Sequence, residues 1–137
     1  MTLMCDSKTV LMADDDSEDC ILAAEAFRES GAGAEFFFVE NGLQLMSRLH
    51  ECACNRERLP VLILLDLNMP QKDGREALVE IKTDPALGHL PIVILTTSRE
   101  KKDIDFAMGA GAQMFLTKPD TFDEWVEMMK SLIPRWL

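Results

Sequence analysis

The chain has 137 residues, of which 47% are hydrophobic, so it suits one domain with a real core and is too apolar for wholesale disorder. Its formal net charge of −10 argues against nucleic-acid binding, which needs an excess of Lys and Arg. That charge fits either simple solubility or a partner with a basic surface.

Short apolar runs alternate with amphipathic stretches along the whole chain, and this alternation is typical of repeated βα units. The predicted strands are Thr9–Ala13, Glu35–Val39, Pro60–Leu65, Pro91–Leu95 and Gln113–Thr117. The predicted helices begin near Ser17, at Asn41–Gly42, after the loop that contains Gly74, near Lys101 and after the N-cap Thr121. The fourth of these helices is predicted to end near Ala110.

The third predicted strand shows no polar alternation, which indicates burial on both faces and a central place in the sheet. We therefore expect an α/β fold, a flavodoxin-like doubly wound sheet of five parallel strands in the order 2-1-3-4-5 with five helices. A single domain should occupy residues 1–137, with its core at about 8–133. Few residues follow the fifth helix, so no output domain is expected.

Neither a membrane segment nor a metal-binding cysteine motif is evident. The longest apolar run, Val61–Leu65, is far too short to cross a bilayer, and residues 1–6 lack the features of a secretory signal. We therefore expect a cytoplasmic protein without membrane contact. Cys52 and Cys54 form a C-x-C pair near His50, but no second cluster completes a zinc site, and their role is left open.

Polar residues follow four of the five predicted strands. Asp14 and Asp15 follow the first strand, Asp66 the third, Thr96 the fourth and Lys118 the fifth. In parallel sheets of this order, ligands gather at the carboxyl ends of the strands, so these side chains should converge.

Converging carboxylates repel one another by roughly 4 kcal/mol per pair at about 4 Å near a protein surface. A divalent cation relieves that repulsion, and Mg²⁺ prefers carboxylate and water oxygens. A carboxylate, a metal, a lysine and a hydroxyl around one small space would suit a phosphoryl group, with Asp66 as the nucleophile.

Five segments of the chain together resemble the receiver domain of two-component response regulators. They are Leu11–Asp16 (LMADDD), Leu64–Pro70 (LLDLNMP), Asp73–Gly74, Leu95–Ser98 (LTTS) and Leu116–Pro119 (LTKP). The resemblance covers nearly the whole chain, and the ordered set is far more specific than any one segment.

The resemblance implies a role for each matching residue. Asp66 would accept a phosphoryl group from a histidine kinase or phosphotransfer protein, and Mg²⁺ would be bound by Asp15 directly, by Asp14 mostly through water, by Asp66 and by the backbone carbonyl of Asn68. Thr96 would be the switch hydroxyl and Lys118 the lysine of the family. The peptide bond between Lys118 and Pro119 would be cis, a form that only X-Pro bonds adopt cheaply.

One position departs from the commonest family pattern, because Phe115 stands where the switch aromatic is often Tyr. Phe115 can still change rotamer, but it offers no phenolic hydroxyl to a partner. The resemblance implies a phosphoacceptor switch that assists its own phosphorylation and dephosphorylation rather than an enzyme. Its output would be changed binding to a downstream protein target, or phosphorelay.

A narrower likeness links the chain to the small response regulators that partner bacterial phytochromes. It rests on Ile81–Pro85 (IKTDP), Pro91–Ser98 (PIVILTTS) and the terminal Trp136-Leu137. This likeness implies a kinase of the phytochrome type and a homodimer through the fourth helix, fifth strand and fifth helix. Trp125 and Trp136 could anchor such a dimer, although Trp125 lies on an apolar helical stripe that favours core packing.

Three other functions were weighed against the sequence. An aspartyl phosphatase would need an acid two residues after Asp66, where Asn68 stands and cannot do acid–base work. A flavin or nucleotide module would need a glycine-rich phosphate loop, and none is present. A degenerate receiver that serves only for docking would not need the complete set of site residues.

Overall fold

The computed structural model describes residues 8–55 and 58–137, so the prediction for residues 1–6 lies outside the described part. Within that part, five parallel strands form one sheet in the order β2-β1-β3-β4-β5, which confirms the predicted fold and strand order. The strands are β1 (Thr9–Ala13), β2 (Glu35–Val39), β3 (Leu62–Leu65), β4 (Ile92–Thr96) and β5 (Met114–Thr117). The helices are α1 (Ser17–Glu29), α2 (Gly42–Cys54), α3 (Gly74–Thr83), α4 (Lys101–Gly109) and α5 (Phe122–Leu132), followed by a 3₁₀ turn at Ile133–Arg135.

Three strands begin later than the sequence pattern predicts. β3 and β4 begin after Pro60 and Pro91 because proline has no N–H to donate to a neighbouring strand. β5 begins after Gln113, whose side chain accepts a hydrogen bond from the backbone N–H of Ile92 at 2.9 Å. β4 continues through Thr96, one residue further than predicted, because Thr96 pairs with Thr117 of β5.

The sheet separates two apolar cores, since successive side chains of a strand point to opposite faces. One face packs against α1 and α5, where Trp125 is 1% exposed and lies beside Phe27 and Met129 in the core. This position confirms that Trp125 serves core packing. The other face packs against α2, α3 and α4. None of the helices in residues 8–55 and 58–137 is long and apolar enough to cross a bilayer.

The three inner strands, β1, β3 and β4, are buried along nearly their whole length, as the continuous apolar run of β3 predicts for that strand. β2 lies at an edge, and there Phe37 and Phe38 are 39% and 44% exposed. Because all five strands are parallel, their carboxyl ends meet along one edge of the sheet, and the candidate site lies at that edge.

Candidate functional site

The turn after β1 brings three consecutive aspartates to the site in different roles. Asp16 is the N-cap of α1, and its carboxylate accepts hydrogen bonds from the amides of Glu18 and Asp19 at 3.0 and 3.1 Å. The amide of Asp16 in turn donates to Oδ1 of Asp14 at 2.9 Å. Asp14 is therefore buried and fixed, whereas Asp15 is exposed at the mouth of the site.

Asp66 follows β3 directly and is buried. Its amide donates to the carbonyl of Ala13 at 3.0 Å, so its backbone continues the pairing between β1 and β3. The amide of Asn68 donates to Oδ1 of Asp66 at 3.3 Å, so the chain turns back over the carboxylate. Gly74 packs against this turn so closely that a Cβ there would collide with the carbonyl oxygen of Asp66.

Lys118, after β5, places its ammonium among three carboxylates. Its Nζ lies 2.6 Å from Oδ2 of Asp14, 2.8 Å from Oδ2 of Asp19 and 3.4 Å from Oδ2 of Asp66. Burial alone would lower the pKa of Lys118, but hydrogen bonds with Asp14 and Asp19 and the charge of Asp66 raise it above its usual range. Lys118 therefore stays charged and holds the ends of β1, β3 and β5 together.

Asp14, Asp15 and Asp66 form a carboxylate cluster whose ligand oxygens lie within 4.8 Å of one another. Burial raises the pKa of Asp14 to about 6, although Lys118 and the amide of Asp16 oppose the shift. Oδ2 of Asp14 is buried, and the ammonium of Lys118 lies 2.6 Å from it.

Three carboxylates this close together, with the single ammonium of Lys118 to offset their charge, fit a hard divalent cation such as Mg²⁺. Within residues 8–55 and 58–137 no other group of three or more acidic, His or Cys side chains could hold a metal ion. In the described part of the chain, Cys52 and Cys54 therefore belong to no such cluster.

Thr96 ends β4 next to Lys118, whose amide donates to the carbonyl of Thr96 at 2.9 Å. The Thr96 side chain is fully buried, and its Oγ lies 3.5 Å from the amide of Ser98. Phe115 pairs with Ile94, two residues before Thr96, so Phe115 and Thr96 share one face of the sheet. Phe115 is half-buried against the core beneath α4.

The predicted cis bond between Lys118 and Pro119 is wrong, because every peptide bond among the described residues is trans. The trans form is the lower-energy isomer of an X-Pro bond by about 0.5–1 kcal/mol. With this bond trans, Lys118 contacts Asp14, Asp19 and Asp66.

The sequence interpretation overlooked two acidic side chains near the site. Asp19 contacts Lys118 at 2.8 Å, and its place in the first turn of a helix that begins at the site could have indicated this. Asp103, in the first turn of α4, is 5% exposed and binds Arg75 and Ser98. The contact between Asp103 and Arg75 becomes evident only when α3 and α4 lie side by side in the fold.

The chain is similar to proteins of one family over nearly its whole length. The profile of the response regulator receiver domain matches residues 10–130. Response regulator Rcp1 of Synechocystis sp. is 34% identical over 131 residues, which cover 95% of this chain and 89% of Rcp1.

Solved structures of response regulators are also similar to this chain. The phosphorylated cyanobacterial phytochrome response regulator RcpA superimposes with a TM-score of 0.86 at 35% identity, covering 95% of this chain and 94% of RcpA. The Mn²⁺-bound form of Rcp1 superimposes with a TM-score of 0.84 at 34% identity, with the same coverage of 95% and 94%.

Proposed function

Because this chain belongs to the response regulator receiver family, whose members are phosphoacceptor switches, we propose that Asp66 is its phosphoacceptor. The observation that carries this proposal is the convergence of Asp14, Asp15, Asp66 and Lys118 at one edge of the sheet. An aspartyl phosphatase is less well supported, since Asn68 is the residue two positions after Asp66 and cannot serve as an acid.

We assign the metal site to the carboxylates of Asp14, Asp15 and Asp66 together with the backbone carbonyl of Asn68. Mg²⁺ bound there would neutralise the oxygens of an incoming phosphoryl group. The Mn²⁺-bound structure of Rcp1 supports a divalent cation as the ligand of such a site.

In the proposed reaction, a carboxylate oxygen of Asp66 attacks phosphorus. The new O–P bond forms while the donor's bond to phosphorus breaks, and the leaving group keeps the electron pair and takes a proton from water. Lys118, whose Nζ lies 3.4 Å from Oδ2 of Asp66, neutralises the transferred group, and the hydroxyl of Thr96 donates to one of its oxygens. The reverse transfer to water would use the same residues.

RcpA is described as a phytochrome response regulator, and this supports a histidine kinase of the phytochrome type, or a phosphotransfer protein, as the donor. We propose that output is changed binding to a protein target, or phosphorelay, by a single domain that works in the cytoplasm.

The face formed by α4, β5 and α5 is the proposed dimer surface. Its helices carry two exposed large apolar side chains, a feature of interaction surfaces: Met108 of α4 (44%) and Phe122 of α5 (39%).

The test is phosphorylation by acetyl phosphate with and without Mg²⁺, detected as a mass increase of one phosphoryl group that hydroxylamine removes, as expected of an acyl phosphate, and read in parallel by size-exclusion chromatography. We expect Mg²⁺-dependent labelling of the native protein and none of Asp66→Asn. Asp105→Asn, an exposed aspartate of α4 paired with Lys101, is the matched control and should label normally. Equal labelling of Asp66→Asn and the native protein would remove Asp66 from this role.

A further inference from the structure

A second polar network lies beside the proposed phosphorylation site and is not needed to hold the metal. Arg75 donates from Nη2 to Oδ1 of Asp103 at 2.8 Å, and the hydroxyl of Ser98 donates to Oδ2 of Asp103 at 2.6 Å. The other arm of Arg75 reaches Oδ1 of Asn68 at 3.4 Å and Oδ2 of Asp73 at 3.1 Å.

Asp103 is the part of this network that most needs an explanation. The buried polar and charged side chains of the described residues are Asp14, Asp66, Thr96 and Asp103, and the first three belong to the proposed site. Burying a carboxylate is unfavourable unless charge and hydrogen bonds compensate it. The hydroxyl of Ser98 and the guanidinium of Arg75 supply both, and they hold the pKa of Asp103 below its usual range.

The network joins the two loops that flank the phosphoacceptor. Arg75 lies in the first turn of α3, after the loop that leaves Asp66, and Asp103 lies in the first turn of α4, after the loop that leaves Thr96. On one side, the amide of Asn68 donates to Oδ1 of Asp66. On the other side, the amide of Ser98 approaches Oγ of Thr96. A chain of polar contacts therefore links Asp66 to Thr96. It passes through Asn68, Arg75, Asp103 and Ser98.

We propose that Arg75 is a positioning residue for phosphoryl transfer, because through Asp103 it fixes the loop that carries Thr96 against the loop that carries Asp66. This inference rests on the proposed function. The planar fork of an arginine contacts Asn68 and Asp103 at once, which the single ammonium of a lysine does not reproduce.

Misplacement of a catalytic contact by about 1 Å can slow a reaction roughly a hundredfold, so the distance between these loops should govern the rate. Loss of Arg75 leaves the carboxylate of Asp103 buried without its cation. We expect the loop from Thr96 to Ser98 to shift as Asp103 moves toward water, and the hydroxyl of Thr96 to move relative to Asp66.

The experiment measures the rate of acyl-phosphate formation from acetyl phosphate at saturating Mg²⁺, well below the melting temperature of each variant. Arg75→Met and Asp103→Ala should each slow phosphorylation by roughly tenfold. The double variant should be no slower than either single variant, because both changes break one connection. Arg28→Met removes an exposed arginine paired with Glu25 in the last turn of α1, and its rate should stay within about twofold of native.

A rate within about twofold of native in folded Arg75→Met, whatever its melting temperature, would overturn the inference and leave the network a structural ion pair. If Arg75→Met does not fold, Arg75→Lys decides, since it retains the charge but not the fork. A slowed reaction in Arg75→Lys supports positioning, and a native rate overturns it. Absence of labelling in the native protein itself would overturn the proposed function and this inference together.

Discussion

Around Lys118, one ammonium compensates several carboxylates at once. Asp14, Asp19 and Asp66 contact it, and Asp15 lies within the same carboxylate cluster. The site therefore holds more negative than positive groups, and Asp14, the most deeply buried of them, has its pKa raised to about 6. Such a site should bind a cation more tightly when Asp14 is ionised.

We expect Mg²⁺ affinity to be greatest above about pH 6. Below that pH it should fall by up to about tenfold per pH unit, because the metal competes with one proton for Asp14.

In metal-free protein, the free energy of unfolding should change with pH in the opposite direction. A carboxyl whose pKa rises from 3.8 to about 6 on folding contributes stability at low pH that is lost as pH rises through 6. The measurement is the melting temperature with and without Mg²⁺ at about pH 5 and pH 8.

At ten times its dissociation constant, Mg²⁺ should add about 1.4 kcal/mol to the free energy of unfolding at the higher pH. Asp15→Asn is the control, because Asp15 is exposed and outside the contacts of Lys118, so its loss should remove the Mg²⁺ effect with little change in metal-free stability. A Mg²⁺-induced rise that is equal at both pH values would contradict the role of Asp14.

The side chains that the sequence could locate are those that end a strand. Asp14, Asp66, Thr96 and Lys118 each follow or end an apolar run, so the order of the sheet alone brings them to one edge. Asp103 is different, because it lies inside a helix, and its burial follows from the approach of α3 to α4. No local pattern encodes that approach.

At the scale of elements, the local sequence specifies where the helices begin, and the capping hydrogen bonds at those positions hold the site loops in place. Asp73 and Thr121 form capping boxes with Glu76 and Glu124 at the starts of α3 and α5. The Thr121 cap was predictable because an apolar helical stripe follows it. The start of β5 was not predictable, because the side chain of Gln113 accepts a hydrogen bond from the amide of Ile92 just before the strand begins.

Gly74, at the first position of α3, should be intolerant of substitution. Gly74→Ala would drive a Cβ into the backbone of Asp66 and Leu67, which cannot move without shifting the phosphoacceptor. We expect it to lower the free energy of unfolding by about 1–3 kcal/mol, the usual cost of overpacking, and to slow labelling of Asp66. Urea denaturation followed by fluorescence of the buried Trp125 would measure the loss.

The matched control is Gly109→Ala in the last position of α4, where an added Cβ meets no atom within 4 Å. Alanine is favoured over glycine within a helix, so this change should stabilise the protein by roughly 0.5–1 kcal/mol. Equal effects of the two substitutions would show that close packing at Gly74 is not the cause.

At the scale of the whole molecule, the site adjoins the surface that we propose for output, because Lys118 directly follows the edge strand β5. The fully buried Thr96 shares a face of the sheet with the half-buried Phe115, which packs against the core beneath α4. We propose that a pull on Thr96 changes the packing of Phe115 and so shifts the population of two states of the α4–β5–α5 face.

Thr96→Ala tests this coupling. We expect the variant to be labelled at Asp66 within about tenfold of the native rate, since one hydrogen-bond donor is lost while Lys118 and the metal site remain. Its change in elution on phosphorylation should disappear, as measured by size-exclusion chromatography coupled to light scattering. Thr97→Ala, at the exposed neighbouring position, should respond as the native protein does, and a native response in Thr96→Ala would contradict the coupling.

The ion pair between Asp19 and Lys118 joins residues that are 99 positions apart. During synthesis, every acidic member of the site leaves the ribosome before its lysine does, so a nascent chain that lacks β5 carries clustered carboxylates with no ammonium to offset them. Long-range contacts of this kind form late in folding. Competence to accept phosphate should therefore arise only after Lys118 has left the ribosome.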